Sequence, residues 1–137
     1  LINPGGEWTL GGFDADSGLT GRKLVIDSYC PSVPIGGGSF SGKDSTKVDR
    51  SGAYMARKIA VGYLGKRHAK EVLVKLAYAI GKPDPVMAVA VVDGKEEAIV
   101  GYDVTPRRIA EQLGLERPIY AATVAWGHFG NQFPWDA

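Results

Sequence analysis

A run of apolar residues at helical spacing follows the glycine-rich part of the chain. Between residues 46 and 64, apolar or small side chains recur every three or four positions, as on one face of a helix. Thr46 is a suitable cap, and Asp49, three residues later, suits the first turn of a helix. We therefore expect a helix from Thr46 to Leu64 that ends near Gly65.

The next two segments alternate or are wholly apolar, which predicts strands. In residues 71–80 every second residue, from Val72 to Ile80, is apolar, and these side chains would share one face of a strand. Residues 86–92 are apolar on both faces, as in an inner strand. The turn GKPDP between the two segments indicates an antiparallel pair. Asp93 and Gly94 then favour a second hairpin back through EEAIV.

The first third of the chain is rich in glycine, aspartate and serine. Its strand candidates are EWTL (residues 7–10) and KLVID (residues 23–27), and the polar segment between them is typical of an exposed loop. Polar, glycine-rich loops held between strands often carry function.

Two further helices are predicted near the C-terminus. Thr105 and Pro106 open one that Gly114 ends, and Pro118 opens another that Gly127 ends. The whole order is strand, strand, helix, strand, strand, helix, helix. It predicts an α+β fold in which helices cover one face of an antiparallel sheet.

Composition and charge exclude several classes of protein. The 137 residues suffice for one domain, and 16 basic against 15 acidic side chains give no basic surface for nucleic acid. No apolar run approaches the roughly 20 residues of a membrane span, so we expect no membrane association and a cytoplasmic protein. The single cysteine, Cys30, excludes an internal disulfide. With only two histidines a zinc site is disfavoured, and a bound metal would be held by oxygen atoms.

The segment GGGSFSGKDSTKVDRS (residues 36–51) nearly matches a phosphate-binding P-loop. From Gly37 the spacing of Gly42 and Lys43 fits, but Asp44 stands where a P-loop has Ser or Thr to hold magnesium. A P-loop also follows a buried strand directly, and none is predicted there. A P-loop nucleoside triphosphatase (NTPase) is therefore disfavoured. Bare backbone N–H groups, lysines and a helix start still favour binding of an anion.

Five motifs, in order and spacing, resemble the C-terminal part of S-adenosylmethionine synthetase (methionine adenosyltransferase). They are GLTGRK, GGGSFSGKD, KVDRSGAYMAR, YAIG and WGHFGNQFPW. The resemblance covers essentially the whole chain. It implies an enzyme in which the sulfur of L-methionine displaces the triphosphate of ATP from the ribose 5′ carbon, after which the triphosphate is hydrolysed. It also implies three similar α+β domains, magnesium and potassium, and a homo-oligomer (dimer or tetramer) with active sites between subunits.

The resemblance assigns roles to residues in both glycine-rich segments. Arg22 and Lys23 match the family's polyphosphate-binding pair, and Lys43 matches its triphosphate lysine; these three would be catalytic by stabilising the leaving charge. Asp16 matches a residue that binds both methionine and the nucleoside. Lys47 matches the lysine near the methionine carboxylate.

The metal and the nucleotide are assigned in the same way. Asp49 matches a magnesium-binding carboxylate. Trp8 stands where the family has an aromatic residue, usually phenylalanine, on the adenine. Glu7 replaces the family's usual basic residue and Ser39 its usual alanine, both near the nucleotide. Asp44 is expected to order its own loop or the neighbouring basic groups.

The resemblance also implies parts that this chain does not carry. The family's N-terminal region supplies a His-Pro-Asp-Lys segment, a second magnesium aspartate, the potassium glutamate and a second glycine-rich ATP motif. The chain also begins without methionine. We therefore expect it to be a segment of a longer enzyme, inactive or nearly so alone, that pairs with the N-terminal segment. Residues 1–35 would belong to the adjacent domain and 36–137 to the C-terminal domain.

Two further expectations follow. The connection from Gly114 to Pro118 is shorter than in the family, which would trim one edge of the domain and alter subunit contacts. The alternative function is a non-catalytic binding or regulatory module that pairs with a full-length enzyme. The charged residues Lys43, Lys47 and Asp49, all present, favour the catalytic interpretation.

Overall fold

The computed structural model describes residues 1–2, 4–15, 33–34, 36 and 38–137. In chain order the main elements are helix α1 (Val48–Arg67), strands β1 (Val72–Ala77), β2 (Met87–Val92) and β3 (Lys95–Ala98), helix α2 (Pro106–Leu113) and the short helix α3 (Thr123–Trp126). Two single 3-10 turns, Gly12–Asp14 and Tyr120–Ala122, complete the regular structure of these residues.

Helix α1 buries the face that the apolar spacing predicted. Gly52, Met55, Ile59 and Tyr63 are buried, and Val48 is partly buried. The predicted cap was wrong, because Lys47 precedes the helix and the Thr46 hydroxyl donates to Asp44 instead.

Helix α1 also continues past the predicted end, through Gly65 to Arg67. One glycine costs a helix only about 1 kcal/mol, and Lys66 and Arg67 favour the last turn. The helix ends at His68, which is exposed and has a left-handed backbone with φ 50°.

The three strands form one antiparallel sheet in the order β1-β2-β3. β1 pairs with β2 with Val74 opposite Ala90, and β2 pairs with β3 with Val91 opposite Glu96. β2 is therefore the inner strand, as its apolar character on both faces predicted. The Asp93–Gly94 turn has positive φ at both residues (47° and 82°), which is the geometry that suits a two-residue hairpin.

The helices and the sheet enclose one core, which confirms the predicted α+β fold. α1 packs on β1 and on α2. Alternate strand residues turn to this core, and they are Val72, Val74 and Leu76 from β1 with Ala88, Ala90 and Val92 from β2. Ile80, predicted on the same face, is 86% exposed because the strand ends at Ala77 and a turn follows from Ala79 to Lys82.

Two other predictions about the elements need correction. Residues 7–10, predicted as a strand, are exposed and unpaired with any strand that the structure describes, so no ladder of hydrogen bonds forms there. The second strand candidate, residues 23–27, lies outside the described residues.

The last predicted helix is split. The single helix expected from Pro118 becomes the 3-10 turn Tyr120–Ala122 followed by α3. The Thr123 hydroxyl donates to the Tyr120 carbonyl at 2.7 Å, a local bond that competes with regular helix bonding. α2 is as predicted, with Pro106 at its start and Gly114 (φ 62°) at its end.

Within the residues that the structure describes, no helix has both the length and the apolar character needed to cross a bilayer.

Ile59 provides a test of this core, with Leu64 on the same helix as its control. Ile59 is 0% exposed in the cluster between helix and sheet, whereas Leu64 is 42% exposed. Ile59→Ala should lower the free energy of unfolding by about 2–5 kcal/mol because it leaves a cavity. Leu64→Ala should lower it by less than about 1 kcal/mol. Urea unfolding of the two variants measures both values, and equal losses would contradict this position of the core.

Candidate functional site

The second glycine-rich segment, described from residue 38 onward, forms a turn that leads into α1. Phe40 is 5% exposed and anchors the segment, packing edge-on against the His128 ring at a centroid distance of 5.1 Å. Beyond it, the Lys43 N–H donates to the Phe40 carbonyl at 3.3 Å, and Gly42 adopts φ 82°. Only glycine takes this conformation readily, so Gly42 lets the chain reverse just before Lys43.

Asp44 orders the turn that precedes the helix, as expected from the sequence. Its Oδ1 accepts hydrogen bonds from the Thr46 backbone N–H at 2.8 Å and from the Thr46 hydroxyl. These bonds, with the nearby Lys47 ammonium, hold the pKa of Asp44 below its usual value. The carboxylate thus stays charged and fixes the loop, instead of replacing the hydroxyl of a P-loop.

Lys43 and Asp49 are brought together at the start of α1. The Lys43 Nζ lies 2.8 Å from Asp49 Oδ2, and the two side chains are 24% and 49% exposed. Asp49 occupies the first turn of the helix, where the helix dipole favours a negative charge. The predicted triphosphate lysine and the predicted metal carboxylate therefore form one ion pair at the surface.

The backbone at Gly38 passes directly against Asp49. A Cβ added to Gly38 would lie 1.9 Å from Asp49 Cγ, closer than any side chain can approach. A glycine is thus needed at this position for Asp49 to keep its orientation.

Lys47 points to different partners. Its Nζ donates to the Thr46 hydroxyl at 3.0 Å and lies 3.7 Å from Asp44 Oδ2, with 57% of the side chain exposed. Lys47 is thus close to the Lys43–Asp49 pair in sequence, but its side chain is more exposed and contacts Thr46 and Asp44 instead.

A buried network behind this surface was not predicted from the sequence. Arg50 is 3% exposed, and its guanidinium donates to the Lys43 carbonyl (3.0 Å), the Tyr54 hydroxyl (2.9 Å) and the Thr123 hydroxyl (3.0 Å). The Tyr54 hydroxyl lies 2.7 Å from His128 Nδ1. An Arg and a Tyr four residues apart share a helix face, and that spacing was the available signal.

The C-terminal motif closes over this network. The Trp135 ring stacks on Tyr54 at a centroid distance of 3.8 Å, and its Nε1 donates to the His128 carbonyl at 2.6 Å. Asp136 accepts from Arg57 Nε at 3.0 Å and from the Gly130 N–H at 2.9 Å. His128 is 3% exposed, so its ring lies inside this network.

The other predicted site residues are distributed differently. Glu7 and Trp8 lie in the exposed N-terminal segment, with Trp8 79% exposed, and no described contact joins them to Lys43 or Asp49. Ser39 is 8% exposed at the base of the glycine-rich turn. Asp16, Arg22 and Lys23 lie outside the described residues.

A groove of about 610 Å³ is lined by residues of the glycine-rich turn, α1 and strand β1. Small side chains of the helix, Gly52, Ala53 and Ala56, form one wall, and Asp49 lies among the lining residues. The groove therefore brings an apolar surface next to the Lys43–Asp49 pair.

The described residues offer few side chains that could bind a metal ion together. Across the described residues, no three His, Cys, Asp or Glu side chains form a cluster that would hold a metal by themselves. Mg²⁺ commonly uses one or two carboxylates and takes its other ligands from water and phosphate oxygens. Asp49 alone, half exposed, fits that requirement as one ligand.

Gly38→Ala tests the close approach of the loop to Asp49. The added methyl group should displace Asp49 from Lys43 and lower the free energy of unfolding by about 1–3 kcal/mol. Gly36→Ala is the matched control, because a Cβ there meets nothing within 4 Å, and its change should stay within about 0.5 kcal/mol. Urea unfolding and a crystal structure of each variant give the two readouts. Equal stability with an intact Lys43–Asp49 pair in both would refute the steric argument.

Comparison with known proteins identifies the family. Residues 10–137 match the family described as the C-terminal domain of S-adenosylmethionine synthetase. The S-adenosylmethionine synthase of Deinococcus radiodurans is 48% identical over 146 residues, covering 99% of this chain and 36% of the relative. That of Thermus thermophilus is 49% identical, covering 99% of this chain and 37% of the relative. That of Nitratiruptor sp. is also 49% identical, covering 97% and 37%.

These matches define what part of the family the chain represents. It spans about a third of the length of the curated relatives that it matches. The alignment of 146 residues is longer than the chain, so the Deinococcus radiodurans relative carries residues that the chain lacks. The chain therefore belongs to the S-adenosylmethionine synthetase family, and it corresponds to the C-terminal portion of that enzyme.

Proposed function

We propose that this chain forms part of a methionine adenosyltransferase that makes S-adenosylmethionine from ATP and L-methionine. The observation that carries the proposal is the Lys43–Asp49 pair, 2.8 Å apart at the helix start beside a glycine-rich turn. A cation and a carboxylate in this arrangement suit a polyphosphate and its metal ion. Membership of the S-adenosylmethionine synthetase family supports this choice of reaction.

The reaction requires stabilisation of a leaving group more than it requires a base. The methionine sulfur donates an electron pair to the ribose 5′ carbon, the C5′–O bond breaks, and the triphosphate leaves with several negative charges before water hydrolyses it. Lys43 would bind this triphosphate, and Arg22 and Lys23 would join it from the first glycine-rich segment. Their shared role is to hold negative charge that grows as the bond breaks.

Methionine would be held through its two charged groups. Asp16 would accept hydrogen bonds from the methionine ammonium and from the nucleoside, and Lys47 would pair with the methionine carboxylate. The Lys47 side chain is 57% exposed, and its ammonium contacts the Thr46 hydroxyl at 3.0 Å and Asp44 at 3.7 Å, which leaves it accessible to a carboxylate.

The nucleotide would contact the first residues of this chain and the glycine-rich turn. The exposed ring of Trp8 offers a large face for stacking on adenine. Glu7 and Ser39 would lie near the nucleotide, with contacts made largely through their backbone.

Magnesium fits Asp49 and, when bound, would neutralise charge on the phosphate oxygens. The part of this chain is to present the Asp49 carboxylate in a fixed orientation against Gly38. Potassium would be held by a glutamate that the family carries in its N-terminal region.

The active site would be completed by other chains. We propose an N-terminal segment of the same enzyme as one partner and a homo-oligomer, dimer or tetramer, as the assembly in the cytoplasm. Residues 1–35 would belong to the adjacent domain of a three-domain enzyme and 36–137 to the C-terminal domain. Large apolar side chains are exposed in the first 13 residues, which supports a partner that packs against them. They are Leu1, Ile2, Trp8, Leu10 and Phe13.

The chain alone should make no measurable S-adenosylmethionine, and adding the N-terminal segment should restore synthesis. The physical reason is that Lys43, Lys47 and Asp49 hold only part of the reacting complex. Native mass spectrometry of the mixture, followed by a product assay with ATP and methionine, tests both statements. Synthesis by the chain alone would contradict the fragment proposal. A stable, inactive complex that binds tripolyphosphate would instead support the non-catalytic module.

Lys43→Ala in the assembled enzyme should slow product formation and triphosphate hydrolysis together, by about 10²–10³-fold in kcat. Both steps need the charge of the triphosphate to be offset at the same site. Lys95→Ala is the control, since Lys95 is exposed at the start of β3. Rates of both steps measured under saturating substrate give the comparison, and unchanged rates for Lys43→Ala would remove Lys43 from the site.

A further inference from the structure

Arg50 follows Asp49 on α1, and the proposed reaction gives it no contact with substrate. Its side chain is 3% exposed, so the guanidinium is withdrawn from water. The described acceptors of its hydrogen bonds are the Lys43 carbonyl and the hydroxyls of Tyr54 and Thr123. All three acceptors are neutral.

Burying a charge on neutral partners is unfavourable unless the geometry is good. Two features offset the cost here. Each of the three guanidinium nitrogens has an acceptor within 3.0 Å, and the guanidinium carbon lies 4.0 Å from the centre of the Tyr120 ring. The planar, forked shape of the group therefore fixes three acceptors relative to one another.

The glycine-rich turn needs such a fixed point at Lys43. Gly42 is conformationally free, and the Lys43 N–H bond to Phe40 is long, at 3.3 Å. The bond from Arg50 to the Lys43 carbonyl, at 3.0 Å, comes instead from a buried helix residue. It fixes the peptide from which the Lys43 side chain extends.

We infer that Arg50 is a positioning residue, which holds the Lys43 backbone so that the Lys43 ammonium meets the polyphosphate. This inference rests on the proposed function of Lys43. Arg50 acts from the buried side of the helix, while Asp49, the preceding residue, acts on the exposed side. One helical turn thus supplies both the electrostatic partner of Lys43 and the anchor of its main chain.

A second set of contacts connects the glycine-rich turn to the buried network of Arg50, Tyr54 and His128. Ser41 Oγ lies 3.4 Å from His128 Nε2, and His128 Nδ1 lies 2.7 Å from the Tyr54 hydroxyl. Burial raises the pKa of Tyr54, so this hydroxyl stays protonated and can both accept from Arg50 and donate to His128. Ser41 and Lys43, on either side of Gly42, are both fastened to Tyr54 through polar contacts.

A double-mutant cycle on the assembled enzyme separates positioning from general stability. The measurement is the affinity for tripolyphosphate by titration calorimetry in wild type, Arg50→Lys, Lys43→Ala and the double variant. Arg50→Lys keeps the charge but loses the forked donors, and it should weaken binding about tenfold. In the Lys43→Ala background the same change should have no further effect. Arg107→Lys is the control, since Arg107 is 89% exposed and pairs with Glu111, and it should leave the affinity unchanged.

The outcomes distinguish the inference from the proposed function. Equal losses from Arg50→Lys in both backgrounds would overturn positioning and leave Lys43 in the site. If Arg50→Lys bound tripolyphosphate normally while Lys43→Ala bound it weakly, positioning would also be overturned and Lys43 would remain in the site. Normal affinity of Lys43→Ala would overturn the proposed role of Lys43, and the inference with it.

Thr123→Val is the second variant, for use if Arg50→Lys does not fold. It removes the acceptor 3.0 Å from Arg50 while keeping the shape of the side chain. Because two of three bonds to Arg50 remain, the loss of tripolyphosphate affinity should be about threefold. It should again disappear in the Lys43→Ala background, and persistence of the loss there would count against positioning.

Discussion

The buried guanidinium of Arg50 is the interaction on which the arrangement of the other parts depends. It connects the glycine-rich turn at Lys43, helix α1 at Tyr54 and the C-terminal segment at Thr123, which is 73 positions away along the chain. A side chain that has lost its water requires all of these partners at once, because each unsatisfied donor would add a desolvation cost. The glycine-rich turn, the long helix and the C-terminal segment therefore cannot move independently without exposing or orphaning that charge.

The first turn of α1 makes two kinds of contact with Lys43, on opposite sides of the helix. Asp49 points to the surface, where the helix dipole and the Lys43 ammonium favour its negative charge. Arg50, one residue later, points inward. The same helix then buries Met55 and Ile59 against the sheet, so the position of the site is set by the packing of the whole domain. Gly38 completes the arrangement because its missing side chain leaves room for Asp49.

The elements with strong local patterns could be predicted from the sequence. Strand β2, apolar on both faces, is the inner strand, and Asp93–Gly94 forms its hairpin. The predictions that failed relied on local sequence alone, where contacts with other residues decide the structure. Thr46 is the right type of residue for a cap, but Lys47 occupies the cap position and the Thr46 hydroxyl donates to Asp44. Residues 7–10 had strand composition without a described neighbouring strand to pair with.

Two bonds of the buried network were beyond prediction because they join residues far apart in the chain. Arg50 meets Thr123 across 73 positions, and Tyr54 meets His128 across 74. No periodic pattern records such contacts. The charged residues Lys43, Lys47 and Asp49 were found through the resemblance of their motif, and the structure adds that Lys43 and Asp49 are paired.

That pairing would keep the proposed polyphosphate site ordered before a ligand arrives. Lys43 has a long, flexible side chain, and fixing it normally costs conformational entropy at the moment of binding. Here the Asp49 carboxylate restrains the ammonium, and the bond from Arg50 restrains the backbone beneath it. A polyphosphate with its metal ion would replace each partner of the pair with another charge of the same sign, since phosphate takes the place of Asp49 and the cation that of Lys43. This exchange would not require the turn to rearrange, so much of the entropic cost of organising the proposed site would be met when the domain folds.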